Sequence, residues 1–424
     1  MRVDACPLEE TVIAAPEPQL TEREVVERAV ALRPALLERQ AETERLTHYP
    51  KDTHDDFLRA GFYRILQPRR YGGYEFGLPA FLQVVVEVAR GCPSTGWAPS
   101  LTAAHVLQAA AFFPQETQDE LFGDDGDFRA ASTLPPVGVA QPDGEGSLIL
   151  DGTWSYASGA PYSTHFIGQT LSAPSAPGGP PGPLLLFVAP RRVWTVLDDW
   201  HGVLGMRGTG SNSVHIDRGR IPAHFACEAS FLDLPVEGGT VGSTLHGNPM
   251  YAARVASFFH AELASVMVGT AYAAADEYAR IISSRPLTFD PGRTRSDLPE
   301  FQQHLGEALG RIRTAEAALR GAADDWTETC RRNVSGEAPF TKAEDHRLAQ
   351  IFLTAGRLAW DALQDPLFRT AGTRHGRDGE RMQRYFRDAA TYRTHVAVGM
   401  AEPLARRVGC DRLGLPSDGI PLIP

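Results

Sequence analysis

Ser147-Leu-Ile-Leu-Asp-Gly-Thr-Trp-Ser-Tyr-Ala-Ser-Gly159 decides the architecture of this chain of 424 residues. Its apolar run Leu148–Leu150, its alternating Trp154 and Tyr156 and its closing glycine have the period and punctuation of β-strands. Further short runs of the same kind follow: Leu184-Leu-Leu-Phe-Val188, Trp194-Thr-Val-Leu197 and Ser213-Val-His-Ile216, separated by Gly, Pro, Asp and Asn. The block from about Ala130 to Glu228 therefore reads as an antiparallel β domain. Within it, the stretch Ser172–Pro183, built from Pro, Gly, Ala and Ser, reads as an exposed loop.

Helical sequence lies on both sides. Thr21-Glu-Arg-Glu24 has the form of a capping box, with Val25, Val26, Ala29, Leu32, Leu36 and Leu37 at helical spacing behind it. Asp52 or Thr53 is the expected cap of a second helix that stops at Gly61. A third runs from Leu78 to Ala89 and ends at Gly91-Cys-Pro93; a fourth spans roughly Ser100 to Phe113, before Pro114. After Gly242, Ala-rich amphipathic stretches cover Met250–Ile282, Glu300–Cys330, Ala343–Leu363 and Arg381–Arg406, which predicts an antiparallel four-helix bundle. The expected fold class is α+β, mainly α. Its expected parts are an N-terminal helical domain (1–129), a β-barrel or sandwich domain (130–240) and a C-terminal bundle (241–424).

Composition excludes several functions. Forty-one Lys+Arg against 52 Asp+Glu leave a net charge of −11, so the chain gains little from phosphate backbones and nucleic acid is not an expected partner. Five scattered cysteines (Cys6, Cys92, Cys227, Cys330, Cys410) without a CxxC pair suit reduced thiols, and no metal site is expected. No basic segment leads into an apolar one at the start, and no run of about 18 apolar residues occurs. The expectation is a cytoplasmic protein without membrane contact. The sequence also lacks a Walker loop and a GxGxxG fingerprint, so no nicotinamide-dinucleotide site of that kind is expected.

Five local sequences carry chemistry. In Tyr156-Ala-Ser-Gly159 a β-type run ends in a hydroxyl and a glycine, which is either a plain turn or a hydroxyl presented at a strand edge. Gly205-Met-Arg-Gly-Thr-Gly-Ser211 is either a glycine-rich hairpin or a loop whose backbone approaches a phosphate, with Arg207 as counter-charge. His105 stands eight residues beyond Cys92-Pro-Ser-Thr-Gly-Trp97 on an Ala-rich helix. Arg384-Tyr-Phe-Arg-Asp388 leads, seven residues later, to His395 beside Val396-Ala-Val398. Pro68-Arg-Arg-Tyr-Gly-Gly73 completes the set.

In this order and spacing the five pieces resemble the acyl-CoA dehydrogenase fold. More closely, they are similar to the oxygenase components of two-component flavin-dependent aromatic hydroxylases, often called group D. The resemblance runs from about Ala60 to the end of the last helix. It implies that the Ser158 hydroxyl meets flavin N5, with Trp154, Tyr156 and Gly159 beside it, and that Arg207 and Thr209 of the glycine-rich loop also hold the cofactor. It further implies that His105, with a hydroxyl from Ala131-Ser132-Thr133 (Ser132 before Thr133), meets a phenolic substrate, and that His395 lies at the face where oxygen reacts.

Dehydrogenases of this fold use a glutamate where Val396 stands, or at Ala253, and neither residue here can take a proton. The resemblance thus implies an oxygenase that receives reduced FMN or FAD from a separate NAD(P)H:flavin reductase. Oxygen would add at flavin C4a as a hydroperoxide and pass to an aromatic substrate, either phenol-like or polycyclic or heteroaromatic. A homotetramer is implied too. Alternatives are an N-oxygenase acting on an amino-sugar or other amine, an acyl-CoA dehydrogenase, and a flavin-free binding relative.

Overall fold

The computed structural model describes residue 13 and residues 15–174, 179–417 and 419–422. Cys6 and residues 175–178 of the expected loop lie outside them. The N-terminal part is helical: α1 (Glu22–Glu38), α2 (Gln40–Leu46), α3 (Lys51–Ala60), α4 (Leu78–Gly91), α5 (Pro93–Thr102), α6 (Val106–Phe112) and α7 (Gln115–Phe122). The capping box forms as its sequence dictates, Thr21 Oγ1 accepting from Glu24 N and Glu24 reaching back to Thr21 N.

Two boundaries differ from expectation. The helix over 51–60 is entered through Pro50, whose locked φ suits the approach, so neither Asp52 nor Thr53 caps it; Gly61 ends it in the left-handed conformation. The helix expected over Ser100–Phe113 is two pieces: α5 already begins at Pro93, and α6 starts after a turn at Ala103–His105. His105 is thus the residue before α6, not one inside a helix.

The central part is one seven-stranded sheet in the order β5-β6-β2-β1-β3-β4-β7. Its strands are β1 (Ala130–Pro142), β2 (Ser147–Trp154), β3 (His165–Ser172), β4 (Leu184–Pro190), β5 (Thr195–Val196), β6 (Val214–Pro222) and β7 (Ala226–Glu228). The expectation of an antiparallel domain needs correction, because the sheet is mixed: β1 and β3 run parallel, Ala130 opposite His165 and Ser132 opposite Ile167. The reason is topological. After the β1–β2 hairpin the chain does not turn straight back but crosses to the far edge of β1 through residues 155–164, and those residues form the turn that carries Ser158.

The C-terminal part begins with α8 (Val241–His246), which packs on α6, and continues with the packed helices α9 (Val255–Ser284), α10 (Pro299–Val334) and α11 (Lys342–Ala362). Helix α9 is its axis: 22 of its 30 residues are buried, and it packs on α4, α10 and α11. Trp326, Phe352 and Phe258 fill the space between these helices, each contributing roughly 1.5–3 kcal/mol by leaving water. The last bundle member, expected as one helix Arg381–Arg406, is three: Arg381–Tyr392, Val396–Gly399 and Ala401–Leu413. His395 lies at the first break in extended conformation (φ −68°, ψ 146°), and its Nδ1 accepts from Ala397 N at 3.2 Å. A side chain that satisfies a helix-start N–H competes with helix continuation, which is why the run stops there.

Candidate active site

β2 ends at Trp154, and that indole belongs to the sheet core. It packs against Phe166 and Phe187 and donates to the Gln169 carbonyl at 2.9 Å. Beyond it Tyr156 takes a left-handed conformation (φ +66°) and is 73% exposed, its ring edge-on to Trp200. Ala157 N donates to the Asn212 carbonyl and Gly159 N to the Thr209 carbonyl, both at 3.0 Å, so the turn is tied to the glycine-rich loop by backbone. Gly159 has φ +76°, and a Cβ there would meet Thr102 Cγ2 at 2.4 Å. Glycine is required both by conformation and by the closeness of α5.

Three buried hydroxyls continue inward from this turn. Ser158 Oγ lies 2.8 Å from Ser211 Oγ, Ser211 Oγ lies 2.6 Å from Thr209 Oγ1, and Thr209 Oγ1 donates to the Met206 carbonyl at 3.0 Å. On the other side Trp97 Nε1 donates to Ser158 Oγ at 3.1 Å. The half-buried Arg207 donates through Nε to the Val203 carbonyl at 3.0 Å.

The loop that carries these groups is held from the helix Arg381–Tyr392. Asp388 accepts from Met206 N at 2.6 Å and from Ser94 Oγ at 3.4 Å. Arg387 donates to the Leu204 carbonyl at 2.8 Å and to Glu44 at 2.7 Å. Arg387 and Asp388 are both buried, and each makes its hydrogen bonds to this loop and its surroundings rather than to the other. Contact is close enough that a Cβ on Gly205 would fall 2.1 Å from the Arg387 carbonyl. Burial raises the Asp388 carboxyl to about 7, while the Met206 N–H pulls the other way.

His395 faces the same region. Its imidazole meets the Trp97 ring edge-on at 5.2 Å and the Phe259 ring at 5.8 Å. Because Nδ1 accepts from Ala397 N–H, the proton of the neutral ring sits on Nε2, which is a donor. Burial, aided by nearby His260, depresses its pKa to about 4, so the ring is neutral at neutral pH.

His105 is the opposite case. Its Nδ1 lies 2.7 Å from the Ala130 carbonyl, which can only accept, so the proton sits on Nδ1 and Nε2 offers a bare lone pair. Burial lowers its pKa to about 4 against the help of that carbonyl. Two residues along the same strand Ser132 is half-buried, whereas Thr133 is buried with Oγ1 lacking a hydrogen-bond partner.

The structure thus brings Ser158, Thr209 and, through Trp97, His395 together. His105 meets the start of β1, and Trp154 is taken up by the sheet. Trp97, Ser211 and Asp388 each lie inside one of the five motifs, yet nothing in the sequence marks them individually as site residues. Their partners are 61, 53 and 182 positions away in the chain, and no local period reports such contacts. Among the described residues no cluster of His, Cys, Asp or Glu is able to hold a metal, and no helix is long and apolar enough to cross a membrane.

Helices, mixed sheet and helices around this site define a protein of the acyl-CoA dehydrogenase fold. The chain matches the family described as acyl-CoA dehydrogenase, N-terminal domain, over residues 18–122 and acyl-CoA dehydrogenase, C-terminal domain, over residues 261–400. Within that fold it belongs to the oxygenase components of two-component flavin-dependent monooxygenases. It is 30% identical over 374 residues to the flavin-dependent monooxygenase, oxygenase subunit HsaA, of Rhodococcus jostii (strain RHA1), covering 88% of this chain and 94% of that protein. The crystal structure of 3-HSA hydroxylase from Rhodococcus sp. RHA1 superposes with a TM-score of 0.81 at 29% identity, covering 93% and 97% of the two chains. XiaF from Streptomyces sp., in complex with FADH2 and glycerol, superposes with a TM-score of 0.80 at 25% identity, covering 94% and 96%.

Proposed function

We propose that this chain receives reduced FMN or FAD from a separate NAD(P)H:flavin reductase and uses it, with O2, to hydroxylate a phenol-like aromatic substrate. The opposite tautomers of His395 and His105 carry that proposal, since the reaction needs one proton donor toward oxygen and one acceptor toward the phenol. The residues fit the cofactor: Ser158 keeps an acceptor lone pair beside the Trp97 indole and the Ser211 hydroxyl, and Arg207 supplies a cation on the adjoining loop.

When bound, the reduced flavin supplies the two electrons that activate oxygen. Ser158 would accept from its N5–H, Tyr156 and Gly159 would flank the ring edge, and Thr209 and Arg207 would hold it from the loop. His395 would offer its Nε2 proton where negative charge develops on oxygen. His105 Nε2 would accept the phenol proton, oriented by Ser132 or Thr133, which raises electron density at the ortho carbon. Val396 and Ala253 carry no carboxylate, so abstraction of an α-proton from an acyl thioester has no base at either position. A homotetramer is the expected assembly.

The test is a comparison with and without a reductase. Alone, the purified chain should leave NADH unoxidised. With any free flavin reductase, FAD and a panel of phenols and indoles, it should yield a hydroxylated product whose new oxygen comes from O2. NADH oxidation by the chain alone, free of reductase contamination, would overturn the two-component reading.

A further inference from the structure

Thr209, Ser211 and Ser158 carry one hydroxyl proton each, and they make three links in a row. The links are Thr209 to the Met206 carbonyl, Ser211 to Thr209, and Ser158 to Ser211, at 3.0, 2.6 and 2.8 Å. A carbonyl can only accept, so the Thr209 proton goes to Met206. Ser211 must then donate to Thr209, and Ser158 to Ser211. From the far side the Trp97 indole, which can only donate, points at Ser158 from 3.1 Å. One assignment of protons satisfies every link. It leaves Ser158 with no proton to give and one lone pair free. The three side chains are 1%, 6% and 7% exposed, so water has little access with which to reverse the row.

We propose that Thr209 and Ser211 are positioning residues that lock Ser158 as a hydrogen-bond acceptor, so that the site selects flavin bearing a hydrogen on N5, the reduced form. This inference rests on the proposal that Ser158 faces N5. Oxidised flavin has a bare N5, itself an acceptor, and would set two acceptors against each other. To donate to it, Ser158 has to turn its proton away from Ser211 and break one link. One neutral hydrogen bond corresponds to about two- to tenfold in affinity. Reduced flavin arriving by diffusion is thereby retained, and oxidised flavin is let go after turnover.

The experiment is anaerobic titration of wild type, Ser211→Ala, Thr209→Val, Thr209→Ser and Ser158→Ala with photoreduced and with oxidised FMN and FAD. Its readout is the ratio of the two dissociation constants, with folding checked by circular dichroism. Ser211→Ala frees the Ser158 proton, and Thr209→Val lets Ser211 turn round and donate to Ser158. Both should lower the preference for reduced flavin about two- to tenfold, chiefly by tightening the oxidised form. Thr209→Ser keeps the hydroxyl row and should keep the preference for reduced flavin, whatever it does to the affinity for either form. If Ser158→Ala lowers the preference while folded Ser211→Ala and Thr209→Val leave it unchanged, the positioning role is overturned. If Ser158→Ala itself leaves the ratio unchanged, Ser158 does not face N5 and the underlying proposal fails instead.

Discussion

Trp97 donates its indole N–H to Ser158 Oγ across 3.1 Å, although 61 positions separate the two residues in the chain. The same ring meets the His395 imidazole edge-on. One side chain of α5 therefore joins the turn after β2 to the break in the last helical segment, and the proposed N5 partner and the proposed proton donor are held against a common wall.

Trp97→Ala should destabilise the protein by about 3–5 kcal/mol, because the indole is nearly fully buried and its loss leaves a cavity. Trp97→Phe keeps a ring against His395 and loses the N–H and some volume, a cost of about 1–2 kcal/mol. Urea unfolding of both variants measures the difference. Equal losses would mean that the ring itself contributes little.

His105→Phe should lower hydroxylation about 10²–10⁴-fold, the usual worth of a general base, while oxygen uptake continues and ends as hydrogen peroxide. The sign of the pH dependence follows from the depressed pKa. The neutral, base-competent ring prevails above about 4, so the histidine imposes no loss of rate near the ordinary imidazole value and a loss only as pH falls through about 4. A His105-dependent drop centred at pH 6.5 would contradict the buried, carbonyl-bound ring.

Much of this was legible in the sequence, and the failures have physical causes. The Thr21–Glu24 capping box and the stop at Gly61 are local chemistry and form as read. The strand β1 has no strand-like signal in the sequence, because Pro135, Pro136 and Gly138 interrupt it and its burial does not alternate cleanly. Missing it hid the parallel pairing with β3. His395 reads as part of one continuous helix because the apolar period runs through it from Arg381 to Arg406; the cap its own Nδ1 makes is invisible to periodicity. Arg387 and Asp388 look like a solvated pair in sequence, and their burial follows only from the loop packed over them.

Asp388→Asn should alter how stability depends on pH. The folded carboxyl titrates near 7, raised from 3.8 mainly by burial, so the folded state holds a proton that the unfolded chain releases. The stability this provides is fully present below 3.8 and is lost as pH rises through about 7, at no more than about 1.4 kcal/mol per pH unit. The asparagine variant should show a shallower decline between pH 4 and 7 in denaturant unfolding. Identical slopes would place the titration elsewhere.

His395→Asn separates a structural role from a chemical one. Asparagine is a good helix cap and can accept from Ala397 N–H, so stability should stay within about 1 kcal/mol. The Nε2 donor is lost, and the reaction of the reduced flavin–protein complex with oxygen should slow by at least tenfold while reduced flavin still binds. A folded variant that reacts with oxygen at the wild-type rate would remove His395 from the chemistry.

The central claim is that this chain holds reduced flavin and governs its reaction with oxygen. The most direct measurement mixes photoreduced flavin bound to the wild-type protein with oxygenated buffer in a stopped-flow instrument, following flavin absorbance without substrate. The account predicts two phases: a first whose rate rises in proportion to oxygen, and a slower, oxygen-independent return of oxidised flavin together with hydrogen peroxide. A single phase with the course of free reduced flavin would contradict it.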